Sequence, residues 1–346
     1  MALKHTAMRY FGQVAESSGL AALAAPRYGG VGAIFMLHSI VADTGPLPKE
    51  NVQTSAAFLE RMIRYYREQR VAMLSLSDAI AQLESGSPRR FVSFTLDDGY
   101  RDNLTVALPI FKKYGVPFTL YVTSAFLERR YDDYRWGQLR HLVMENVTIA
   151  VDAVGERLST GSPDEKRRAF RKLKRWMKDG TLGIERLDRL FEAYRMTHAD
   201  ALDRDALTVA ELAAAARTEP LLEIGGHTRT HGRLASLDEA GALDDMRDNK
   251  RQLESIADRE VRHFAYPYGD AASCGVREFR LAKAAGFATA VTSRIGNLFP
   301  DHLQHRWCLP RLRFLGPCEN RGFMESQRSG AVTALATRFG NPVILE

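Results

Sequence analysis

Two short segments combine carboxylates and imidazoles at spacings that suit metal chemistry. Asp97 and Asp98 are adjacent at the end of an apolar run, and His227 and His231 are four positions apart. Two imidazoles at that spacing on a helical turn share one face, and with one carboxylate they can bind a divalent ion. The second carboxylate is then free to act as a base. The pattern predicts a metal-dependent hydrolase.

Each of these segments also has a simpler interpretation. An Asp-Asp-Gly sequence such as residues 97–99 is common in turns between a strand and a helix. The two histidines could likewise lie on the surface or cap a helix. The spacing and the position of both segments directly after apolar runs favour the metal site, although neither segment is decisive by itself.

A third segment is rich in aromatic side chains and ends in glycine. Residues 264–269 read Phe-Ala-Tyr-Pro-Tyr-Gly. Aromatic faces can stack on the apolar faces of sugar rings, and backbone N–H groups of such a loop could face an oxyanion. The candidate substrate or oxyanion residues are Tyr266, Pro267, Tyr268 and Gly269. The alternative is a plain turn.

Short apolar runs alternate with amphipathic segments along most of the chain, which is typical of an α/β fold with a parallel sheet. Each candidate site residue lies at or just after the end of an apolar run, and in barrels of alternating strands and helices the active site lies at the carboxyl ends of the strands. The runs predict strands at 31–37, 71–74, 91–96, 116–123, 221–225, 261–265, 287–292 and 306–314.

The alternation stops near residue 127 and resumes near residue 207, and the stretch between them is charged and helical in pattern. We interpret it as a helical insertion that contains a basic helix at 163–178. The predicted division of the chain is an N-terminal helical segment 1–30, a barrel formed by 31–126 and 208–320, the insertion 127–207, and a C-terminal tail 321–346.

Three segments together resemble the NodB-homology polysaccharide deacetylases, carbohydrate esterase family 4. Residues 95–99 (Thr-Leu-Asp-Asp-Gly), 227–231 (His-Thr-Arg-Thr-His) and 266–269 (Tyr-Pro-Tyr-Gly) look like the first three motifs of that family, in the same order. The resemblance covers roughly residues 31–125 and 207–315. It implies a distorted (β/α) barrel of about seven strands and a hydrolase of carbon–nitrogen bonds other than peptide bonds.

The resemblance also implies roles for individual residues. It implies that Asp98, His227 and His231 hold a divalent metal, usually zinc, with cobalt or nickel as substitutes. It implies that Asp97 is the general base for the water that attacks an N-acetyl or O-acetyl carbonyl. The backbone N–H of Tyr268 would help to hold the oxyanion.

The sequence departs from the family pattern in two places. Many members have an arginine that braces the base where this chain has Ala265, and Arg311 is our candidate replacement. Many members also have a late Leu-x-His motif whose histidine is the general acid, and no clean match occurs here. The candidates for the acid are His305, His302 and His38, of which His38 is favoured because it ends a predicted strand.

The composition restricts the partners only weakly. The net charge of +6 favours acidic partners, so the expected acetylated saccharide could be anionic or lipid-linked, with peripheral membrane contact as another use of the basic helix. A solvated face is the favoured interpretation of that helix. No motif supports nucleic-acid binding. The three cysteines form no CxxC pair and predict neither a disulfide framework nor a zinc knuckle.

The expected location is cytoplasmic or membrane-peripheral, because the apolar run at 20–25 is too short for a convincing signal peptide. Residues 7–25 instead predict a short helix on the body of the protein or on a membrane surface.

Two other functions remain open from the sequence. One is hydrolysis of a non-sugar carbon–nitrogen bond on the same scaffold. The other is a glycan-binding protein that has lost most of its turnover, which the replaced arginine and the missing acid motif keep open.

Overall fold

The computed structural model describes residues 20–42, 47, 52–86, 88–131, 134–313 and 320–343. Seven parallel strands close into a barrel, as the sequence pattern and the family resemblance predicted. The strands are β1 Gly32–Leu37, β2 Ser39–Val41, β3 Gln53–Ser55, β4 Ala72–Met73, β5 Phe91–Leu96, β6 Phe118–Val122, β7 Thr148–Val151, β8 Glu156–Ser159, β9 Leu222–Gly226, β10 His263–Ala265, β11 Thr289–Ile295 and β12 Leu309–Arg313.

Around the barrel the order of strands is β1, β12, β11, β10, β9, β6 and β5, and β5 pairs with β1 over its full length to close the ring. The short β4 pairs with the first residues of β5. Every residue of β5 and β6 is buried. Strands of a closed parallel barrel are covered on both faces, which is why they read as continuous apolar runs in the sequence.

Helices surround the barrel and build the insertion. They are α1 Leu20–Tyr28, α2 Ala56–Glu68, α3 Leu76–Glu84, α4 Leu108–Tyr114, α5 Ser124–Leu127, α6 Arg135–Glu145, α7 Pro163–Lys178, α8 Ile184–Ala193, α9 His198–Asp205, α10 Val209–Thr218, α11 Glu239–Ala257, α12 Val276–Ala284, α13 Arg321–Arg328 and α14 Ala331–Ala336. Among the described residues, no helix is long and apolar enough to cross a membrane.

Helix α3 closes the amino-terminal end of the barrel. Its first backbone N–H, that of Leu76, donates to a carboxylate oxygen of Glu223 on β9 at 2.9 Å, and Thr119 Oγ1 on β6 donates to the same oxygen at 3.1 Å. Negative charge at a helix N-terminus is stabilising. Helix α3 therefore covers this end of the barrel.

The insertion between β6 and β9 has a hydrophobic core of its own, separate from that of the barrel. Helices α6 to α9 form most of it. The expectation of a helical insertion holds for most of its length but missed an antiparallel hairpin, β7 and β8, which pairs Thr148 with Ser159 and Val151 with Glu156. Its strands are four residues each and turn at Gly155 in the left-handed region, φ +66°, so their period is too short to stand out from the flanking helices.

The C-terminal residues are more ordered than a tail. Helices α13 and α14 pack beside α1, and Tyr28 Oη donates to the carbonyl of Phe339 at 2.6 Å. Gly330 sits at φ +78° where a Cβ would lie 2.0 Å from the carbonyl oxygen of Tyr28, so only glycine fits that approach. Most of the expected 7–25 helix, and Cys318, lie outside the described residues.

Candidate metal centre and active site

Three side chains converge at the carboxyl-terminal rim of the barrel. Oδ1 of Asp98, directly after β5, lies 3.3 Å from Nε2 of His227 and 3.2 Å from Nε2 of His231. The ligand atoms of the three side chains all lie within 4.8 Å of one another. These are the residues for which the sequence predicted a shared ion.

The donor set fits a divalent metal. Asp98 Oδ1 is buried and has no hydrogen-bond donor among the described residues. Nδ1 of His227 lies 2.7 Å from the carbonyl oxygen of Ala265, which accepts its proton and leaves Nε2 as the unprotonated nitrogen that faces Asp98. This outer hydrogen bond is the usual arrangement for an imidazole that binds a metal. Two imidazoles and one carboxylate are preferred zinc ligands.

The backbone that presents these ligands is not the helical turn that the four-residue spacing suggested. Residues 227–231 form a loop, in which Thr228 has φ +61° and His231 has φ +57°, and Asp98 has φ +77°. Thr228 Oγ1 accepts a hydrogen bond from the N–H of His231 at 2.9 Å. Non-glycine residues in the left-handed region are uncommon, and their concentration at one site is typical of functional geometry.

Two polar residues of α11 hold this loop in place. Asp245 accepts hydrogen bonds from the N–H of Arg229 at 2.5 Å and from Thr230 Oγ1 at 2.6 Å. Asn249 accepts from the N–H of His227 at 2.9 Å, and its side-chain nitrogen donates to the carbonyl of Val122. The sequence analysis missed both residues. Their only signal is a polar pair four residues apart on the buried face of an amphipathic helix.

The charges at the cluster support one another. Burial disfavours ionisation of Asp98, yet the imidazoles of His227 and His231 outweigh burial and hold the pKa of this carboxyl well below its usual range. Burial likewise disfavours the charged form of His227, but the pKa of its imidazole is raised because Asp98 and Asp97 are close. The site therefore keeps an anionic carboxylate beside two groups that can act as metal ligands.

Asp97 forms a buried ion pair with Arg311 of β12. The two guanidinium nitrogens Nη1 and Nη2 each donate to one carboxylate oxygen at 2.7 Å. Arg311 also donates from Nε to the carbonyl of Thr292 at 2.9 Å and from Nη1 to Thr95 Oγ1 at 3.1 Å. Burial raises the pKa of Asp97, but the charge and hydrogen bonds of Arg311 lower it by more, so the net pKa lies below the ordinary value.

His38 lies beside this pair, and the other two candidate acids do not. His38 Nε2 is 3.9 Å from Asp97 Oδ2. His302 and His305 belong to a 3-10 helix at 300–305 that packs near α3, where Arg306 pairs with Glu84 at 2.9 Å. Because they precede a parallel strand, they lie at the amino-terminal end of the barrel. The structure thus separates His302 and His305 from the metal cluster.

In the aromatic loop after β10, one of the four candidate substrate residues, Tyr268, faces the site. Tyr268 is 46% exposed, stands 5.5 Å from the ring of His231, and its backbone N–H donates to no described residue. Tyr266 is instead buried, with its hydroxyl donating to the carbonyl of Trp307 at 2.8 Å. Pro267 and Gly269 are buried as well, so three of the four candidate substrate residues support the loop and do not line the cavity.

Glycine is required at position 269 by close packing. Gly269 has φ +63°, and a Cβ there would lie 2.5 Å from the backbone nitrogen of Ser293. Its own carbonyl accepts a hydrogen bond from that nitrogen at 3.0 Å. This contact fixes the loop against β11 and so determines where Tyr268 lies.

A cavity of about 600 Å³ opens from the metal cluster toward the insertion. Asp98, His231 and Tyr268 line its barrel end, and Trp136 and Arg140 of α6 line its far end. The volume is in the range of pockets that enclose most of a small organic ligand. The insertion therefore lies beside the rim that carries the candidate active site.

The family of the chain follows from its sequence. A family model described as polysaccharide deacetylase matches residues 84–181 and 191–289, which is more than half of the chain. The chain belongs to the polysaccharide deacetylase family, which confirms the resemblance noted from its motifs. A search of curated proteins found no significant match.

Solved structures show the same fold at low sequence identity. The deacetylase PplD of Streptococcus pyogenes, solved in complex with acetate, is 16% identical, with a TM-score of 0.54 and coverage of 82% of this chain and 92% of its own. IcaB from Ammonifex degensii is 15% identical, with a TM-score of 0.55 and coverage of 87% and 98%. The polysaccharide deacetylase BC0361 from Bacillus cereus is 13% identical, with a TM-score of 0.54 and coverage of 86% and 68%.

Proposed function

We propose that this protein is a divalent-metal-dependent deacetylase that hydrolyses an N-acetyl or O-acetyl group of a saccharide. The observation that carries the proposal is the convergence of Asp98, His227 and His231 on one point beside the ion pair of Asp97 with Arg311. Family membership supports the reaction, and the acetate bound to the distant structural relative PplD is the product that the reaction would release.

Asp98, His227 and His231 would hold the ion, with zinc as the expected metal and cobalt or nickel as substitutes. A bound divalent ion would polarise the acetyl carbonyl and favour ionisation of an attacking water. Hydrogen bonds to Ala265 of β10 and to Asn249 of α11 keep His227 in place.

Asp97 is the proposed general base, because Arg311 keeps it ionised and it adjoins the metal ligand Asp98 in the chain. It would take a proton from the attacking water. Arg311 is a positioning residue that fixes both carboxylate oxygens. The backbone N–H of Tyr268 would donate to the oxygen that becomes negative as the carbonyl is attacked.

His38 is the proposed route by which the proton reaches the leaving nitrogen. Its Nε2 lies 3.9 Å from Asp97 Oδ2, longer than a hydrogen bond, but catalytic contacts are often long before substrate binds. Burial lowers the pKa of His38, although the carboxylates of Asp98 and Asp97 oppose this shift. A neutral imidazole of this kind can accept the proton from Asp97 and pass it on.

The position of Arg311 bears on the non-enzymatic alternative. That alternative depended in part on Ala265 standing where relatives have an arginine. In the structure the guanidinium reaches the carboxylate from β12 instead of β10, with two 2.7 Å contacts. This geometry favours an enzyme over a glycan-binding protein that has lost its machinery.

The test separates metal binding from proton transfer. Asp98→Ala should lose the metal, and with it nearly all acetate release, when metal content is measured per chain. Asp97→Asn should keep one metal per chain but lose about 10²-fold or more in kcat on an acetylated oligosaccharide. Asp248→Asn, an exposed carboxylate of α11, is the control and should change neither. Equal metal loss in Asp97→Asn and Asp98→Ala would overturn the division of roles.

A further inference from the structure

The insertion supplies a basic wall to the cavity, opposite the metal cluster. Arg140 on α6, Lys174 and Lys178 on α7, and Arg204 on α9 all line it. Lys174 and Lys178 are four residues apart and so lie on one face of α7. Cations from three separate helices of the insertion therefore face the same space as the metal ligands.

The charge of this cavity is unbalanced. Among the described residues that line it, five are Lys or Arg and three are Asp. Asp98 belongs to the metal cluster. Asp102 accepts hydrogen bonds from Ser39 Oγ and from the N–H of Ile40, and Asp205 accepts from Tyr134 Oη at 2.8 Å. Neither Asp102 nor Asp205 forms an ion pair with Arg140 or Lys178 among the described residues, and the cations that line the insertion wall outnumber its carboxylates.

Arg140 is the most informative of these cations. Its Nη1 is buried, yet it has no hydrogen-bond acceptor among the described residues. Lys178 has no acidic partner in the described part of the chain either, whereas Arg204 pairs with Glu145. A buried guanidinium nitrogen without an acceptor is costly and unusual in a native protein. An anionic ligand group would satisfy it.

The same wall offers an aromatic face to a sugar ring. Trp136 is 36% exposed and lines the cavity. The ammonium of Lys174 lies 5.0 Å from the Trp136 ring and 5.7 Å from that of Phe170. These cation–π contacts keep the Lys174 charge beside an exposed indole, so that a stacking surface and a positive charge occur together.

We infer that the insertion wall is a subsite for an anionic group, a carboxylate or a phosphate, that is carried by the saccharide substrate. This inference rests on the proposed deacetylase function, and it names the substrate class. The acetylated sugar lies at the metal cluster. Its anionic neighbour lies against Arg140 and Lys178, and a ring stacks on Trp136.

The experiment compares three acetylated tetrasaccharides by acetate release. One is a neutral tetramer of N-acetylglucosamine, the second is that tetramer with a terminal phosphate, and the third alternates N-acetylglucosamine with glucuronic acid. We expect kcat/KM to be about tenfold higher on at least one anionic probe, mainly through KM, because a charge-assisted contact adds binding that the neutral tetramer lacks. A preference for the phosphorylated tetramer would identify the bound group as phosphate, and a preference for the glucuronic acid probe would identify it as carboxylate. Values within about twofold on all three would overturn the inference.

Matched variants locate the effect. Arg140→Gln combined with Lys178→Gln should remove the preference, because kcat/KM should fall more on the anionic probes than on the neutral tetramer. Arg168→Gln combined with Arg171→Gln removes the same charge from exposed residues of α7 that do not line the cavity, and should keep the preference. Loss of the preference in both pairs would show a general field of the basic helix and would overturn the subsite.

Binding separates this inference from the proposed function. A tetramer of galacturonic acid has no acetyl group, so its binding, measured by calorimetry on the metal-loaded protein, needs no turnover. It should bind the unaltered protein about tenfold more tightly than the Arg140→Gln/Lys178→Gln variant. If no substrate releases acetate but this difference persists, the deacetylase proposal fails and the anionic subsite stands. Equal binding to both proteins would exclude the subsite.

Discussion

The two walls of the cavity are built in different ways. On the barrel wall, Asp97 and Arg311 are 2% and 1% exposed, and Arg311 makes hydrogen bonds to three residues. On the insertion wall, Arg140 and Lys178 project from helices and have no acidic partner among the described residues. The barrel wall rests on the strands of a closed sheet, whereas the insertion has a separate core.

This difference suggests that the barrel wall carries out metal binding and proton transfer, and that the insertion wall recognises the substrate. Proton transfer and metal binding require atoms to stay within a fraction of an ångström, which side chains on buried strands provide. Recognition of a charged group tolerates longer side chains such as that of the exposed Lys178, whose charge stays near water. The following changes test whether the barrel wall controls kcat and metal binding while the insertion wall controls KM.

The largest effect is expected from Arg311→Gln. Removing one partner of a buried ion pair leaves the other charge without compensation, which costs about 3–5 kcal/mol of the free energy of unfolding. The pKa of Asp97 should rise above its ordinary value of 3.8, because burial raises it and the strongest opposing influence, Arg311, is then removed. Thermal unfolding and the acid limb of the kcat profile measure these two changes, and the acid limb should move to higher pH.

The pH dependence of stability gives this prediction a sign. In the unaltered protein the folded-state pKa of Asp97 is lowered, so the ion pair stabilises above about pH 4 and its contribution is lost as pH falls through the folded pKa. In Arg311→Gln the folded pKa is raised, so stability from this group should fall as pH rises above about 4. Arg171→Gln, an exposed arginine of α7, should show neither change. Identical pH profiles for the protein and Arg311→Gln would argue against the proposed role of the pair.

The barrel was predictable because its strands carry strong local signals. The apolar runs that the sequence marked at 31–37, 91–96 and 116–123 became β1, β5 and β6 with boundaries shifted by at most two residues. Site residues that directly follow these runs could be placed at one rim, since parallel strands end on the same side. The proximity of Arg311 to Asp97 followed from the position of β12 in the chain.

What the sequence could not supply are contacts between distant segments. The brace of Asp245 and Asn249 joins α11 to a loop that lies 15 or more residues earlier. The left-handed conformation of His231 depends on such contacts, and the four-residue spacing therefore suggested a helix. The burial of Tyr266 depends on the packing of β10 against its neighbours. The misplacement of His305 was avoidable, because residues just before a parallel strand lie at the opposite end from the site.

A smaller effect is expected from His38→Gln, and it should depend on the leaving group. An amide needs a proton on its departing nitrogen, whereas an ester oxygen can leave with less assistance. We expect kcat to fall by about 10²-fold on N-acetyl substrates and much less on O-acetyl substrates. The ratio of kcat on N-acetyl and O-acetyl substrates measures this difference. His305→Gln, at the other end of the barrel, is the matched control, and an equal change of the ratio in both variants would remove His38 as the proton donor.

The smallest of these effects is expected from the brace behind the metal ligands. Asn249 is fully buried, accepts from the N–H of His227 at 2.9 Å, and donates to Val122 and to Ser124 Oγ at 3.0 and 2.7 Å. Asn249→Ala should release the His227 loop and weaken metal binding by about tenfold, the lower end of what loss of supporting hydrogen bonds costs. Because Asn249 touches no substrate, saturating metal should restore most of kcat.

Competition with a metal chelator measures that affinity directly. Asp248→Asn, one residue earlier and exposed, should leave the metal affinity unchanged. Arg140→Gln combined with Lys178→Gln should change KM but leave the metal affinity unchanged. An Asn249→Ala protein that binds metal normally would mean that the loop is fixed by Asp245 and by the left-handed backbone of residues 228 and 231 alone. The rigidity of the metal centre would then come from its own loop and from the hydrogen bonds of Asp245, with Asn249 as a packing residue only.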